Sequence, residues 1–344
     1  MRIGIDARKI NDFGIGTYVR GLLRGLAATR DKEKYVIFAP AEAVKLLPNG
    51  FEHVELDTPT YSVRELIAVG RAAKRARVDL LHVPHYVVPV VRGPVVTTIH
   101  DLIHLRTAYN NPLKPIYARA MLRRAVARSA HILTVSAAVR ADIIQTLYAR
   151  PERITVTPNG VDDAFRAPAP RAMPGSYFLY AGNDKPHKNV DRLVEAFSIV
   201  RASHPRLSLI LAGAAFERHH PRQGIVAAGF MSTSELAALY RSAIAVVQPS
   251  SDEGFGLPAA EAMASGTAVI TSHAPALVEV TGDAALHVDV RTLDELAAAM
   301  ERLATDDAER VKLARRGIER ARDLTWWRCA TLTRNVYLDV LARS

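Results

Sequence analysis

The chain has 344 residues, 49% of them hydrophobic and 23% charged, with 19 Gly, 19 Pro, one Cys and a formal charge of +10 at pH 7. That length suits two domains of roughly 150 residues each, and the apolar fraction suits packed cores rather than disorder. A single cysteine, Cys329, excludes an intramolecular disulfide or a cysteine-ligated zinc and favours a reducing cytoplasm; no apolar run reaches the ~18 residues that span a bilayer, and the Met-Arg-Ile-Gly start lacks a signal-peptide layout.

The charge is unevenly spread. Residues 1–170 carry 25 basic and 15 acidic side chains, and residues 171–344 carry 20 of each. Such an imbalance speaks of partners rather than of fold, and it leaves nucleic acid, an anionic membrane and a polyphosphate substrate open.

In chain order, a short apolar run at 2–6 leads into a Gly-rich turn at Gly14-Ile15-Gly16 and a helical pattern through Leu26. Strand-like runs follow at Tyr35–Phe38, Leu80–Val83, Val95–Ile99, Ile132–Val135 and Ile154–Thr157, with helical stretches at 62–77 and 114–129 between them. The Pro-rich segment 166–175 reads as a linker. Beyond it, strands are expected at Tyr177–Ala181, Leu207–Ala212, Ile225–Ala228, Ile244–Gln248, Ala268–Thr271 and Ala285–Val288. Helices are expected at 190–202, 234–242, 258–264, 293–304 and 307–322. Nearly continuous Val, Ile and Leu runs suit strands buried on both faces, so the fold class is α/β, two doubly wound Rossmann-like domains. Ligands of such sheets bind at the carboxyl ends of the strands, which makes the cleft between the domains the expected site.

The stretch Pro249 to Gly266 carries the most chemistry. A strand ends near Gln248, Gly254 and Gly256 allow close backbone approach, and Pro258 stands where a helix starts. A Gly loop at a helix N-terminus offers free N–H groups and a positive dipole end to an anion such as a diphosphate. Glu253 and Glu261 can accept hydrogen bonds from sugar or ribose hydroxyls; from spacing alone they read equally well as a solvated loop acid and a helix-face acid. Gly14 and Gly16 follow a strand and open a helix, where they present N–H groups or form a plain tight turn. His100 ends a central strand, in a place that also suits a structural histidine. Asp252-Glu253 and Asp162-Asp163 are the only promising acidic pairs for a metal, and each is more simply loop chemistry; Asp101 and His104 find no further ligands.

The wording Glu253-Gly-Phe-Gly-Leu-Pro-Ala-Ala-Glu261-Ala-Met-Ala-Ser-Gly closely resembles the glutamate-x7-glutamate signature of retaining glycosyltransferase family 4, which has the GT-B fold. Val156-Thr-Pro-Asn-Gly-Val-Asp162, Phe178-Leu-Tyr-Ala-Gly182, Pro186-His-Lys-Asn189 and Glu279-Val-Thr-Gly-Asp-Ala-Ala285 extend the resemblance over nearly the whole chain. It implies domains at 1–165 plus 326–344 and at 176–325, joined by the linker 166–175. It also implies that the amphipathic segment 324–341 returns to the first domain, with Trp326 and Trp327 as packing anchors.

By the same resemblance Glu253 contacts donor-sugar hydroxyls, Glu261 holds the nucleotide ribose and Lys188 binds the donor diphosphate. Asn183 and His187 occupy positions where the family usually has an arginine. His100 lies near the donor sugar's reaction centre, so the catalytic assignments are His100, Glu253 and Lys188. The donor site adds Gly14, Gly16, Asn183, His187, Gly254, Phe255, Gly256, Leu257 and Glu261. No metal or other cofactor is expected, and no residue identifies itself as a general base.

Two basic clusters stand in the first half: Arg71, Lys74, Arg75 and Arg77, and Lys114, Arg119, Arg123, Arg124 and Arg128. They read as solvated helix faces or as contacts to an anionic inner-membrane surface. The expected activity is retaining hexosyl transfer, with mannose from GDP-mannose favoured, to an anionic lipid-linked or glycan acceptor by a cytoplasmic, peripheral enzyme. The alternatives are a UDP-glucose-dependent glucosyltransferase and a GT-B nucleotide-sugar epimerase. Nucleic acid is not an expected partner, since aromatics are few and no binding motif is recognised.

Overall fold

The computed structural model describes residues 1–29, 32–59, 63–107, 113–166, 176–216 and 223–344. These residues form two units, Met1–Gly160 with Trp326–Ser344, and Val161–Thr325.

The first unit is built on β1 (Arg2–Asp6), β2 (Lys34–Ala39), β3 (Glu52–Glu55), β4 (Leu80–Val83), β5 (Val95–Ile99), β6 (His131–Thr134) and β7 (Ile154–Val156). All pair in parallel, in the order β3-β2-β1-β4-β5-β6-β7. β3 is absent from the sequence expectation because this edge strand has acidic ends (Glu-His-Val-Glu) and only half-buried central side chains, as edge strands allow. Helices α1 (Ile15–Ala28), α2 (Val63–Arg75), α3 (Ile103–Arg106), α4 (Lys114–Arg128) and α5 (Ala137–Leu147) connect the strands. α5 also escaped the periodicity, although Ser136 marks its start: the Ser136 Oγ accepts from Val139 N at 3.2 Å.

One core joins β1 and β2 to α1 and to the terminal residues 326–344, while Val69 and Ala73 of α2 and Ala125 of α4 pack with Val36, Leu81 and Val95 in another.

The second unit repeats the plan with β8 (Tyr177–Ala181), β9 (Ser208–Ala212), β10 (Ile225–Gly229), β11 (Ala245–Gln248), β12 (Ala268–Ser272) and β13 (Leu286–Val288), in the parallel order β10-β9-β8-β11-β12-β13. Its helices are α6 (Val190–Ser203), α7 (Thr233–Ser242), α8 (Leu257–Ala264), α9 (Pro275–Thr281), α10 (Leu293–Thr305) and α11 (Asp307–Ala321). Each sheet reverses its strand order once, between β1 and β4 and between β8 and β11, and such switch points are where doubly wound sheets hold ligands.

Two expectations need correction, and a third falls mostly outside the described residues. Residues 161–165, expected with the first domain, belong to the second unit: the Phe165 ring packs edge-on against Tyr240 at 5.4 Å, and Arg241 Nη1 donates to Ala164 O at 2.8 Å. Of the linker expected at 166–175 only Arg166 is described, its guanidinium bonded to Ala321 O and Leu324 O; the rest lies outside the described residues.

The last helix, α12 (Trp326–Ala342), belongs to the first unit. Trp326 is buried there, but Trp327 is 57% exposed and anchors nothing. Neighbours on a helix point about 100° apart, so one core-facing indole turns the next outward. Gly21 and Gly25, one turn apart on α1, form the seat of Trp326. A Cβ on Gly21 would stand 2.1 Å from the indole, and one on Gly25 2.2 Å from the Trp326 carbonyl oxygen.

Candidate active site

The expected residues form one group in each unit. In the second unit, the segment after β8 and the loop after β11 flank the switch point. A short 3-10 turn, Pro186–Lys188, ends at Asn189, whose left-handed backbone (φ 54°) starts α6. Hydrogen bonds and an ion pair join this turn to the loop after β11. The His187 carbonyl accepts from Ser251 N at 2.8 Å, Asn189 Nδ2 donates to Pro249 O at 2.8 Å, and Lys188 Nζ reaches Glu253 Oε1 at 2.6 Å. Asn183 is held nearby, its carbonyl accepting from Tyr180 Oη at 2.5 Å.

Glu253 sits mostly out of solvent. Burial alone would favour its neutral form, but the Lys188 charge and the hydrogen bonds outweigh that and hold the carboxyl below its ordinary value. It is a fixed anion beside a fixed cation.

Past Glu253, Gly254, Phe255 and Gly256 are buried, and Gly256 caps the start of α8 with φ 93°, where a Cβ would also stand 2.4 Å from Leu277. Leu257 and Pro258 open the helix, so its first N–H groups face the loop. One turn on, Glu261 accepts from Tyr240 Oη at 3.1 Å. Its pKa is pushed up to about 8, chiefly by burial and further by the Asp162 charge, against the Tyr240 hydrogen bond. The two glutamates of the signature therefore differ electrically: Glu253 is ionised, and Glu261 is largely protonated near neutrality.

Gln248 and Tyr240 were missed by sequence reasoning. Gln248 is buried; its Nε2 donates to Glu253 Oε1 at 2.7 Å and its Oε1 accepts from Ala259 N, in the first turn of α8, at 3.0 Å. The available signal was a glutamine closing the apolar run Ala-Val-Val at a strand's carboxyl end, where a buried amide must find partners. Tyr240 carries no comparable signal in the helical run of α7.

In the first unit Gly14 and His100 stand at the carboxyl ends of β1 and β5. Gly14, with φ 52°, is the residue before α1, whereas Gly16 lies inside the first turn: a Cβ there would stand 2.6 Å from Ile10 O. Gly16 is thus held in close backbone packing. Burial pushes the pKa of His100 down to about 4, against Asp101 and the Pro84 carbonyl. The ring is neutral at pH 7, with Nε2–H donating to Pro84 O at 3.1 Å and its edge against Tyr18 at 4.7 Å. Nδ1 is then the acceptor nitrogen. Behind it Asp6, Arg8, Glu65 and His85 form a buried ionic network: Arg8 Nη2 lies 2.7 Å from Asp6 and 3.0 Å from Glu65, and His85 Nε2 lies 3.2 Å from Asp6. Among the described residues no group of three or more His, Cys, Asp or Glu side chains is placed to hold a metal ion. Asp162 instead caps a 3-10 turn through Ala164 N, and His104 Nδ1 meets Tyr86 Oη at 3.0 Å.

Two parallel, doubly wound sheets with ligand-type residues at their strand ends define the GT-B class, and the solved structures agree. Sucrose-phosphate synthase from Thermosynechococcus elongatus superposes with a TM-score of 0.81 at 20% identity over 100% of both chains. WaaG, a glycosyltransferase involved in lipopolysaccharide biosynthesis, gives 0.76 at 16% identity over 98% of this chain and 99% of its own.

At the sequence level, the family model for glycosyl transferases group 1 matches residues 161–323, and that for glycosyltransferase family 4 matches residues 14–165. O-antigen chain mannosyltransferase B of Escherichia coli is 28% identical over 94% of this chain and 95% of its own length. O-antigen chain mannosyltransferase RfbU of Salmonella typhimurium is 32% identical over 60% of this chain and 59% of its length. The chain belongs to glycosyltransferase family 4.

Proposed function

We propose that this glycosyltransferase moves mannose from GDP-mannose, with retention of anomeric configuration and without a metal, to an anionic lipid-linked or polysaccharide acceptor in cell-surface glycan synthesis. The observation that carries the reading is the joint placement of Lys188, Glu253 and the α8 N-terminus at the β8/β11 switch point. When the bond between the anomeric carbon and the diphosphate oxygen breaks, its electron pair stays on the diphosphate. A lysine ammonium and a helix N-terminus are the groups that stabilise that charge as it grows. Glu253 receives a donor-sugar hydroxyl, Glu261 the ribose, and the loop Gly254–Leu257 supplies backbone contact, with Asn183 and His187 beside Lys188. The family resemblance gives Gly14 and Gly16 of the first unit donor-binding roles and His100 a role in catalysis. The acceptor hydroxyl attacks from the face the diphosphate leaves, and its proton passes to the departing phosphate oxygen.

The choice of mannose rests on the two O-antigen mannosyltransferase relatives. The work of such an enzyme, on a membrane-borne acceptor, is peripheral at the inner face of the membrane. The test is turnover by the purified chain in EDTA with GDP-mannose, UDP-glucose, UDP-galactose and UDP-GlcNAc in parallel. Release of GDP from GDP-mannose alone supports the reading. Turnover of UDP-glucose alone transfers it to a glucosyltransferase, an isomerised donor without acceptor makes it an epimerase, and strict dependence on added metal removes the cationic-clamp mechanism.

A further inference from the structure

The two basic clusters, some forty residues apart in sequence, flank a single loop. Residues 88–93 follow β4, and α2 packs so closely on this loop that a Cβ on Gly70 would stand 2.0 Å from Val90 O, while Val90 N donates to Leu66 O at 2.7 Å. From the other side Arg124 of α4 donates Nε to Val88 O at 3.2 Å. Arg124, expected with the surface cluster, is thus spent on fixing the loop and is half-buried. The remaining cations of both helices stay exposed, and Arg92 on the loop joins them. Among the described residues none of Arg71, Lys74, Arg75, Arg92, Arg123 and Arg128 is recorded in an ion pair, and the only carboxylate on either helix, Glu65, is buried against Arg8.

Aliphatic side chains stand among these charges. Ile67 lies at helical spacing with Arg71 and Lys74, and Ile116 with Arg119 and Arg123. Ile67 is 47% exposed, Ile116 67%, and Val90 of the loop 55%. In the same loop a hollow of about 250 Å³ is lined by Val88, Val91, Val95 and Ala127 together with Arg92 and Arg128.

We infer that α2, α4 and the loop 88–93 form one docking face for an anionic phospholipid bilayer, with Val90 entering the headgroup region and the Arg92–Arg128 hollow receiving a lipid phosphate. Charge complementarity selects an anionic partner. The aliphatic residues select a bilayer over nucleic acid, whose single strands bind by stacking on aromatic rings and whose duplexes need only the cations. The inference deepens the acceptor reading above, since a lipid-linked acceptor has to be met at a membrane, but it is measured without turnover.

The test is flotation of the full chain with vesicles of phosphatidylcholine alone and of phosphatidylcholine containing about one third phosphatidylglycerol. The expected result is binding to the anionic vesicles only, reduced roughly tenfold or more by Arg92→Glu with Arg128→Glu and clearly weakened by Val90→Asp. Arg119→Glu with Arg123→Glu, both exposed, serves should the first pair fail to fold, and circular dichroism melts report folding for each. Equal binding to neutral vesicles, no binding to either, variants that fold and bind as the parent does, or a Val90→Asp chain that binds as before each overturn the proposal. So does a preference for duplex DNA over the anionic vesicles at equal salt. Donor turnover in the absence of vesicles is expected to be unchanged in these variants; its loss in the parent chain defeats the glycosyl-transfer reading and leaves the docking face standing.

Discussion

Lys188 Nζ stands 2.6 Å from Glu253 Oε1, and the same carboxylate oxygen accepts a second bond from Gln248 Nε2 at 2.7 Å. Both bonds land on Oε1, which leaves Oε2 as the oxygen to take a sugar hydroxyl, with the Ser250 hydroxyl also near the carboxylate, while the lysine keeps donors for a phosphate. The pair joins the segments after β8 and β11, which makes it part of the fold as well as of the site.

Lys188→Met should therefore act twice. Removing the cation leaves a mostly buried carboxylate without its partner, a change that costs about 3 kcal/mol where burial is nearly complete and somewhat less here. Nucleoside diphosphate affinity should fall in the same variant. Urea midpoints and calorimetric titration read the two effects, and adding Glu253→Gln should recover stability without recovering affinity. Affinity regained in the double variant would mean that Lys188 serves only the carboxylate.

Gln248 is a positioning residue in this arrangement. Gln248→Leu keeps the side chain's approximate volume but frees both Glu253 and Ala259 N, leaving buried polar groups that cost about 1–3 kcal/mol. Because Glu253 is turned rather than removed, kcat with the favoured donor should drop at least about tenfold. Nucleotide affinity, carried by Lys188 and Glu261, should change little. Equal losses in kcat and in nucleotide binding would point to a general disturbance of the loop.

Glu261 gives the site a pH dependence. Its folded-state pKa, pushed up to about 8, lies above the ordinary 4.5, so the folded chain holds this proton more tightly than the unfolded chain. The resulting stability is complete below about pH 4.5 and is lost as pH rises through about 8. Ribose hydroxyls donate to a carboxylate, so donor binding should favour the ionised form. Nucleotide affinity should rise by up to about tenfold per pH unit between pH 6.5 and 8, with a proton released on binding. Titration calorimetry in buffers of differing ionisation enthalpy counts that proton. Glu261→Gln should bind weakly at every pH, and a slope that survives in it would assign the titration elsewhere.

Much of this was written in local pattern. The β-α alternation and the Gly256 turn follow from residue type and spacing, because strand ends and helix caps are local events, while Glu253 and Glu261 stand out as a pair only through the family resemblance. The partner of each glutamate was not legible. Lys188 reaches Glu253 only because β8 and β11 lie side by side, Gln248 reaches it by the turn of the loop that follows its own strand, and Tyr240 reaches Glu261 from a helix twenty-one residues away. Trp327 shows the converse: an aromatic pair in an amphipathic segment looked like two anchors, and the helix phase allows one.

The seat of that one anchor supplies the last prediction. Gly21 and Gly25 open a gap on the stripe of α1 that meets α12, below Tyr18, whose ring meets the Trp326 indole at 6.3 Å, and the clearances given above leave no room for a methyl. Gly21→Ala would ordinarily gain about 1 kcal/mol in helix propensity. Here the methyl meets an indole, and the expected net effect is a loss of about 2–3 kcal/mol by overpacking, seen as a lowered thermal midpoint. Trp326→Ala alone should cost about 3–5 kcal/mol by leaving a cavity. The double variant Gly21→Ala with Trp326→Ala should be more stable than the sum of the two losses predicts, since the indole that the methyl strikes is gone. Strict additivity would mean that α1 yields to the methyl by moving its backbone, and that the two glycines serve some end other than seating Trp326.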